Sequence, residues 1–497
     1  MTPPRTHQPA PRRRADALAA LADGRFDLLV IGAGAIGAAT AWAAARAGAR
    51  VAVVDRGDVA AATSMASTKL LHGGLRYLAM GDVRLVREAH GERRRNAELI
   101  APHLVEPLPF LVPLRGASRR EALRLRAGVA AYGALSGWRD GRGGAIGPAA
   151  ARALAPGLRA DGLDGALVYH DHRTDDHRLV IAALDAAAEL GAVVANHVEV
   201  AGLRTLAGQI VGVDAVDRRT GGSLAIAAGT VVNAAGPWVD EVRRLEDPAA
   251  APSVRLAKGA HLLLEPAAPW SAAVTSVLDD GRVAFAIPWR GMLMLGTTDT
   301  AYEGDPGAVV ADAGDEARIL AEAATALGDE AVDPARICAR FAGLRALPLG
   351  DGPTSGARRE TVVTRGARGM LSVAGGKLTT WVAIGDRVAD RALADAGFLP
   401  VPAGPLPSAI AAPAGGDALL RRLVGRYGAA ADGILAKAGM ERPLLDGSDA
   451  LAAEAVHAAE REWAVDADDA VRRLGLWVRG PVAPATRAAL ERVVAAT

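Results

Sequence analysis

Three glycines, Gly32, Gly34 and Gly37, stand between a short apolar run and an alanine-rich stretch, and they constrain the fold more than any other feature of the chain. The run Phe26 to Ile31 reads as a strand, the glycines as a tight turn, and the residues to about Ala47 as a helix that Gly48 can end. Val51 to Val54 reads as a second strand. Strand, glycine turn, helix and strand in that order make a βαβ unit. The first glycine permits the turn, the second lets backbone approach a pyrophosphate, and the third allows helix and strand to pack closely. Ala35 and Ile36 open the helix, whose free amides and positive dipole end suit an anion. Asp55, eighteen positions after Gly37, sits where a carboxylate accepts hydrogen bonds from adenosine ribose hydroxyls and repels a ribose phosphate. A dinucleotide is expected here, with Arg56 and Val198 as flanking members of its site. The motif alone does not separate FAD from NAD.

A chain of 497 residues that is 51% apolar can bury more than one core, so two or three domains are expected. Lys plus Arg (57) nearly cancels Asp plus Glu (56), which gives no reason to expect nucleic acid as a partner. The lone Cys338 excludes an intramolecular disulfide framework and a multi-cysteine metal site, so no metal is expected. Residues 1–23 read as a disordered basic tail (Arg5, Arg12, Arg13 and Arg14) rather than a secretory signal. With no membrane-spanning run, the expected location is the cytoplasm, free or peripheral on the inner face of the cytoplasmic membrane.

Further along, Ser118 to Tyr132 reads as a basic helix, Leu179 to Leu190 as a helix and Val193 to Val200 as a strand. Val211 to Arg218 and Leu224 to Val232 suggest a hairpin. Arg255 to Leu264 and Val283 to Leu295 alternate as strands of an antiparallel sheet, which a helix over Asp312 to Leu327 could cover. A Pro-rich linker follows, and beyond it helices near 418–426, 450–464 and 467–474.

The stretch Thr63-Ser64-Met65-Ala66-Ser67-Thr68-Lys69-Leu70-Leu71-His72-Gly73-Gly74-Leu75-Arg76-Tyr77-Leu78 closely resembles the signature of the FAD-dependent glycerol-3-phosphate dehydrogenases. Further blocks match in the same order. They include Asp175 to Leu179, Asn233-Ala234-Ala235-Gly236-Pro237-Trp238, Lys258-Gly259-Ala260-His261, Gly296-Thr297-Thr298-Asp299-Thr300 and Gly375-Gly376-Lys377-Leu378-Thr379. The resemblance covers about residues 24 to 395. It implies an α/β fold, in which a glutathione-reductase-like FAD-binding Rossmann domain (24–104, 165–245 and 340–395) is interleaved with an antiparallel-sheet substrate domain (105–164 and 246–339). A linker (396–414) and a C-terminal helical domain (415–497) complete the expected organisation.

The resemblance also implies roles. Thr63, Ser64, Ser67, Thr68, Lys69, Leu71, His72 and Gly73 would contact FAD, as would Ala235, Gly236 and Trp238 at the end of a strand. Gly376, Lys377, Leu378 and Thr379 would open a helix toward the flavin's pyrimidine edge, where negative charge develops on reduction. Arg76, Arg345, Arg359 and Lys377 would converge on a substrate phosphate, for which arginine's planar fork is suited. Hydride would pass from C2 of sn-glycerol 3-phosphate to FAD, with His72 or His261 as the base for the hydroxyl proton. Quinone or oxygen would then take the electrons. The basic, apolar run Arg119 to Arg126 is a candidate contact with an anionic lipid surface, and a homodimer is expected. The chain departs from the family at Ala66, Ala346 and Trp381-Val382, where members commonly carry Arg, Pro and Tyr-Arg. Two alternatives stay open: a 2-hydroxy-acid or amino-acid oxidoreductase on the same fold, and a non-catalytic flavin-binding paralogue.

Overall fold

The computed structural model describes residues 9–79, 81–116, 118–278, 281–349, 361–411, 417–439, 445 and 448–497. The glycine fingerprint does what its spacing predicts: strand Arg25–Ile31 leads through the turn into helix Ala35–Arg46 and out to strand Val51–Val54. These strands sit in the middle of an eight-stranded sheet. Ser223–Asn233, Arg25–Ile31, Val51–Val54 and Val193–Ala195 run parallel, with Val30 paired to both Val232 and Val53. Both faces of such a sheet are covered, which is why Val51–Val54 is buried at every position rather than alternating. Alanines dominate helix Ala35–Arg46 because two helices press on it. Asp176–Glu189 lies on one side and Trp381–Leu393 on the other, so close that a Cβ on Gly385 would meet that of Ala39 at 2.4 Å. The expected hairpin is present as Gln209–Asp217 and Ser223–Asn233.

The second sheet has ten strands and is almost wholly antiparallel. Val254–Leu264, Met292–Gly296, Val283–Trp289 and Ala273–Val277 continue through Val105–Arg115 to Leu163–Thr174 and the short Leu70–Leu71. Ile337–Pro348 pairs along the length of Val254–Leu264. Helix Ala313–Ala324 covers this sheet, packing Ile319 and Ala323 against Leu262, Leu264 and Leu295. The C-terminal helices from Ala418–Tyr427 to Pro484–Ala496 enclose small cores of their own, one built on Ala455, Val471, Leu474 and Leu490.

Several expectations need correcting. Residues 14–23 are not a disordered tail: Arg14–Asp23 is a helix whose Ala17 and Leu21 enter the first core. Arg14 holds it down through Asp217 (2.5 Å), while Arg12 bridges Asp185 and Glu189. Composition suggested solvation, but these carboxylates come from distant segments that neutralise the arginines. The domain boundaries also shift, since Leu70–Leu71, Leu163–Thr174 and Ile337–Pro348, expected mostly in the nucleotide domain, lie in the second sheet. The segment read as a linker has no regular structure over 397–405, yet Ala403 and Leu406 are buried in the first core. Val193 to Val200 divides into Val193–Ala195 and Val198–Leu206. No described helix is long and apolar enough to cross a membrane.

Candidate functional site

One cavity of about 1550 Å³ runs between the two sheets, larger than the ~300–1,000 Å³ typical of a single small ligand. Its first end is the glycine turn. Gly32 has φ +104°, and a Cβ there would meet the Ala234 carbonyl oxygen at 2.6 Å. A Cβ on Gly37 would lie 1.8 Å from the Gly32 oxygen, so this third glycine acts by packing and does not itself line the cavity. Ser64 Oγ accepts from the Ala35 N–H (2.8 Å), which ties the signature segment to the helix N-terminus. Asp55 accepts from the N–H groups of Ala33 (2.7 Å) and Gly57 (2.9 Å). Burial nevertheless pushes its carboxyl up to about 6, against those two hydrogen bonds. An ionised group held this reluctantly gains from further donors such as ribose hydroxyls.

Val198, Ala235, Gly236 and Trp238 line the same end, and the Trp238 indole N–H is buried with no hydrogen-bond partner among the described residues. Arg56 lies over the Trp238 ring at 5.2 Å and pairs with Glu241. Opposite, the turn Leu378–Thr380 leads into helix Trp381–Leu393, and Gly376, Lys377, Leu378 and Thr379 reach the cavity. Thr379 Oγ1 accepts from the His72 N–H at 3.2 Å. A glycine cradle, a helix start at each side, a buried carboxylate and an orphaned indole donor together fit a long, polar-ended dinucleotide.

The second end is cationic. Arg345, on strand Ile337–Pro348, donates to the Thr298 carbonyl (3.2 Å) and to Thr297 Oγ1 (3.0 Å), with Asp299 at 3.6 Å. It lies flat on Gly259, where a Cβ would meet its guanidinium at 2.4 Å. The Lys377 ammonium sits 3.9 Å over the Tyr77 ring. His261 stacks on Phe341 at 4.8 Å, and its Nε2 is 3.1 Å from Thr68 Oγ1. Burial, with Arg345 and Lys69 nearby, holds that imidazole well below its usual pKa and therefore neutral. His72, Thr63 and Thr68 also face the cavity.

Other expected contacts lie elsewhere. Lys69 is buried away from the cavity, donating to Asp176 (2.7 Å), which also accepts from the Ser67 hydroxyl (2.6 Å). The Lys69 ammonium is surrounded by Trp289, Phe341 and Trp477. Its backbone is left-handed (φ +58°), which turns the side chain inward. Leu71 and Gly73 also lie off the cavity. The Gly73 N–H donates to Asp171, a buried carboxylate that Arg93 and Tyr132 hold from behind. Arg76 falls on helix Leu75–Ala79, its side chain outside what the structure describes, and Arg359 lies outside the described residues.

Of the three departures, Ala66 and Ala346 line the cavity, whereas Trp381 and Val382 do not. The Trp381 indole donates to Asn96 (2.8 Å) and Val382 is in the first core, so that substitution repacks the interior. Sequence reasoning assigned no role to Tyr77 or Asp299, though both stood in quoted motifs. It also missed the helix Arg119–Leu135 as a cavity wall, where Leu125 and Val129 face inward.

The chain matches the family described as FAD dependent oxidoreductase over residues 27–390. It is 37% identical to glycerol-3-phosphate dehydrogenase 1 of Mycobacterium tuberculosis, across 93% of each chain. Glycerol-3-phosphate dehydrogenase 2 of the same organism is 33% identical, with 93% of this chain and 83% of that protein covered. Among solved structures, glycerol-3-phosphate dehydrogenase from Bacillus halodurans complexed with FAD superposes with a TM-score of 0.70. The identity is 27%, over 93% of this chain and 88% of that one.

Proposed function

From the premise that this chain belongs to the FAD dependent oxidoreductases, and within them to the glycerol-3-phosphate dehydrogenases, we infer that it oxidises sn-glycerol 3-phosphate to dihydroxyacetone phosphate. The observation that carries this reading is one cavity with two chemically distinct ends: a glycine turn with Asp55, and the cations Arg345 and Lys377. FAD, when bound, supplies the two-electron acceptor that takes the hydride from C2.

The chain's own residues do the rest. Asp55 and the amides around Gly34 hold the nucleotide. Arg345 and Lys377, with Arg76 and Arg359 drawn from the signature and from Arg358-Arg359, bind the phosphate. Thr297 and Thr298 fix the direction of Arg345, and Asp299 offsets its charge. Neutral His261 accepts the C2 hydroxyl proton, with Thr68 orienting its ring. His261→Asn is expected to slow flavin reduction about 100-fold or more while leaving FAD content unchanged, read by anaerobic stopped-flow absorbance.

The acceptor proposed is a membrane quinone. Helix Arg119–Leu135 supports this: Leu125 and Val129 line the cavity, while Arg120, Leu123 and Arg126 stand exposed away from it, a pattern suited to the inner face of an anionic membrane. Co-flotation with anionic vesicles that Arg120→Glu/Arg126→Glu abolishes would support it. A homodimer belongs to the same proposal and is tested by light scattering.

Asp55 gives a pH dependence. Its carboxyl is raised to about 6 from 3.8, so in the cofactor-free protein its contribution to stability is present at low pH and lost as pH rises through 6. The cost of ionising it is about 3 kcal/mol. Ribose hydroxyls donate to the ionised form, so FAD should bind about tenfold more tightly at pH 7 than at pH 5. Asp55→Asn should flatten that profile in a fluorescence titration.

The primary test adds sn-glycerol 3-phosphate to the yellow protein without oxygen. Bleaching of the long-wavelength flavin band with formation of dihydroxyacetone phosphate is expected. A flavin that stays oxidised under excess substrate overturns the reading.

A further inference from the structure

The C-terminal helices lie beyond the matched family region, yet one of them bonds to Asp58 and His197, which line the nucleotide end of the cavity. The loop that starts at Asp55 is zipped to the glycine turn, Ala60 N–H donating to the Ala33 carbonyl at 3.1 Å. Asp58, three residues after Asp55, turns the other way, toward helix Ala467–Leu474. Its carboxylate accepts from Arg473 at 2.5 and 2.8 Å and from Arg472 Nε at 2.7 Å. Arg473 and Asp58 are both buried, and Arg473 Nε is further fixed on the Glu462 carbonyl at 2.8 Å.

A second tie runs alongside. His197, whose backbone N–H donates to the Gly57 carbonyl (2.8 Å), has its Nε2 3.1 Å from Asp469. Asp469 also accepts from Arg472 at 2.7 Å. Asp58, His197 and Asp469 have the composition of a cation site, but two guanidiniums already balance the two carboxylates, so the cluster is an ion-pair knot. Asp58 and His197 both line the cavity. A third tie, a two-pronged pair between Glu462 and Arg178 at 2.6 and 2.8 Å, docks the same unit on helix Asp176–Glu189.

We propose that the C-terminal helical unit is a positioning element of the nucleotide site: Arg473, aided by Arg472, fixes Asp58 and with it the loop that presents Asp55 to the ribose of FAD. The proposal rests on the reading of this cavity as the FAD site. Removing Arg473 leaves a buried carboxylate without its main counter-charge, and the loop must open to hydrate it. Because both events share one loop, FAD binding and docking of the helices stabilise each other to the same extent.

The test uses full-length protein stripped of FAD and measures its FAD dissociation constant by fluorescence quenching. Arg473→Gln is expected to raise that constant about 30-fold or more, with the KM for sn-glycerol 3-phosphate at saturating FAD within twofold of wild type. Adding Asp58→Asn to Arg473→Gln removes the stranded charge and should recover most of the affinity, which a merely structural lesion would not do. FAD should also slow proteolytic release of the helices in wild type but not in Arg473→Gln. Should Arg473→Gln fail to fold, the more exposed Arg472→Gln carries the test, with an expected rise of about fivefold. An unchanged FAD constant in these variants, or a double variant as weak as the single, overturns the proposal. Failure of the substrate assignment would appear instead as wild-type protein that binds FAD and is not reduced by substrate.

Discussion

Arg345→Met should lower kcat/KM for sn-glycerol 3-phosphate by about 100- to 1,000-fold. The guanidinium is already held in the cavity by Thr298 O and Thr297 Oγ1, so the substrate phosphate meets a cation whose direction is fixed. Charge-assisted hydrogen bonds contribute roughly 1.5–3 kcal/mol each, so losing two near the lower end, about 3–4 kcal/mol together, gives that range. Methionine also leaves Asp299 without the cation 3.6 Å away, which adds like-charge repulsion against phosphate. Arg345→Met/Asp299→Asn should therefore recover part of the loss. FAD content should not change, since the Arg345 side chain rests on Gly259 and the Thr297–Thr298 pair and not on the glycine turn. Steady-state kinetics at saturating FAD make the measurement. A loss below about fivefold would mean that Arg345 is an internal ion-pair partner and not the phosphate ligand.

Gly37→Ala should cost the protein its flavin. The added methyl would sit 1.8 Å from the backbone oxygen of Gly32, and what it meets is backbone rather than the far end of a flexible side chain. Helix Ala35–Arg46 must lift from strand Arg25–Ile31, and the amides at its start move away from where the pyrophosphate is held. FAD affinity is expected to fall by more than about 100-fold, with protein purified nearly colourless. Gly91→Ala is the control. It lies inside helix Val83–Arg95 with nothing near its Cβ position, so it should keep its colour and gain about 0.5–1 kcal/mol from helix propensity. The ratio of flavin to protein absorbance separates the two variants directly.

These expectations trace what was legible in the sequence. The turn around Gly32 was, because its requirements are local: a positive φ, a close carbonyl and a helix start within six residues all leave marks in the residue types. Arg345 and Lys377 were legible through motif resemblance and do face one cavity. Lys69 was misplaced for the opposite reason. Its neighbours in the signature point into the cavity, but its direction depends on Asp176, more than a hundred positions later. The helix Arg14–Asp23 was missed likewise, since arginine-rich composition says nothing about the carboxylates Asp185 and Asp217 that receive Arg12 and Arg14. Helix Arg119–Leu135 was legible as a helix, while its service as a cavity wall was not, because the sheet it faces is assembled from strands on both sides of it in the chain.

The pair between Asp58 and Arg473 spans 415 positions, and that distance sets a clock. The glycine turn and the ribose-facing aspartate are synthesised some four hundred residues before the guanidinium that, on this proposal, steadies them. At roughly 5–20 residues per second the ribosome needs on the order of 20–80 s to cover that gap. Through that interval Asp58 has neither Arg472 nor Arg473 to pair with. On the proposal made above, flavin is held tightly only once Arg473 has been made, so a chain truncated before helix Ala467–Leu474 should bind FAD about as weakly as Arg473→Gln.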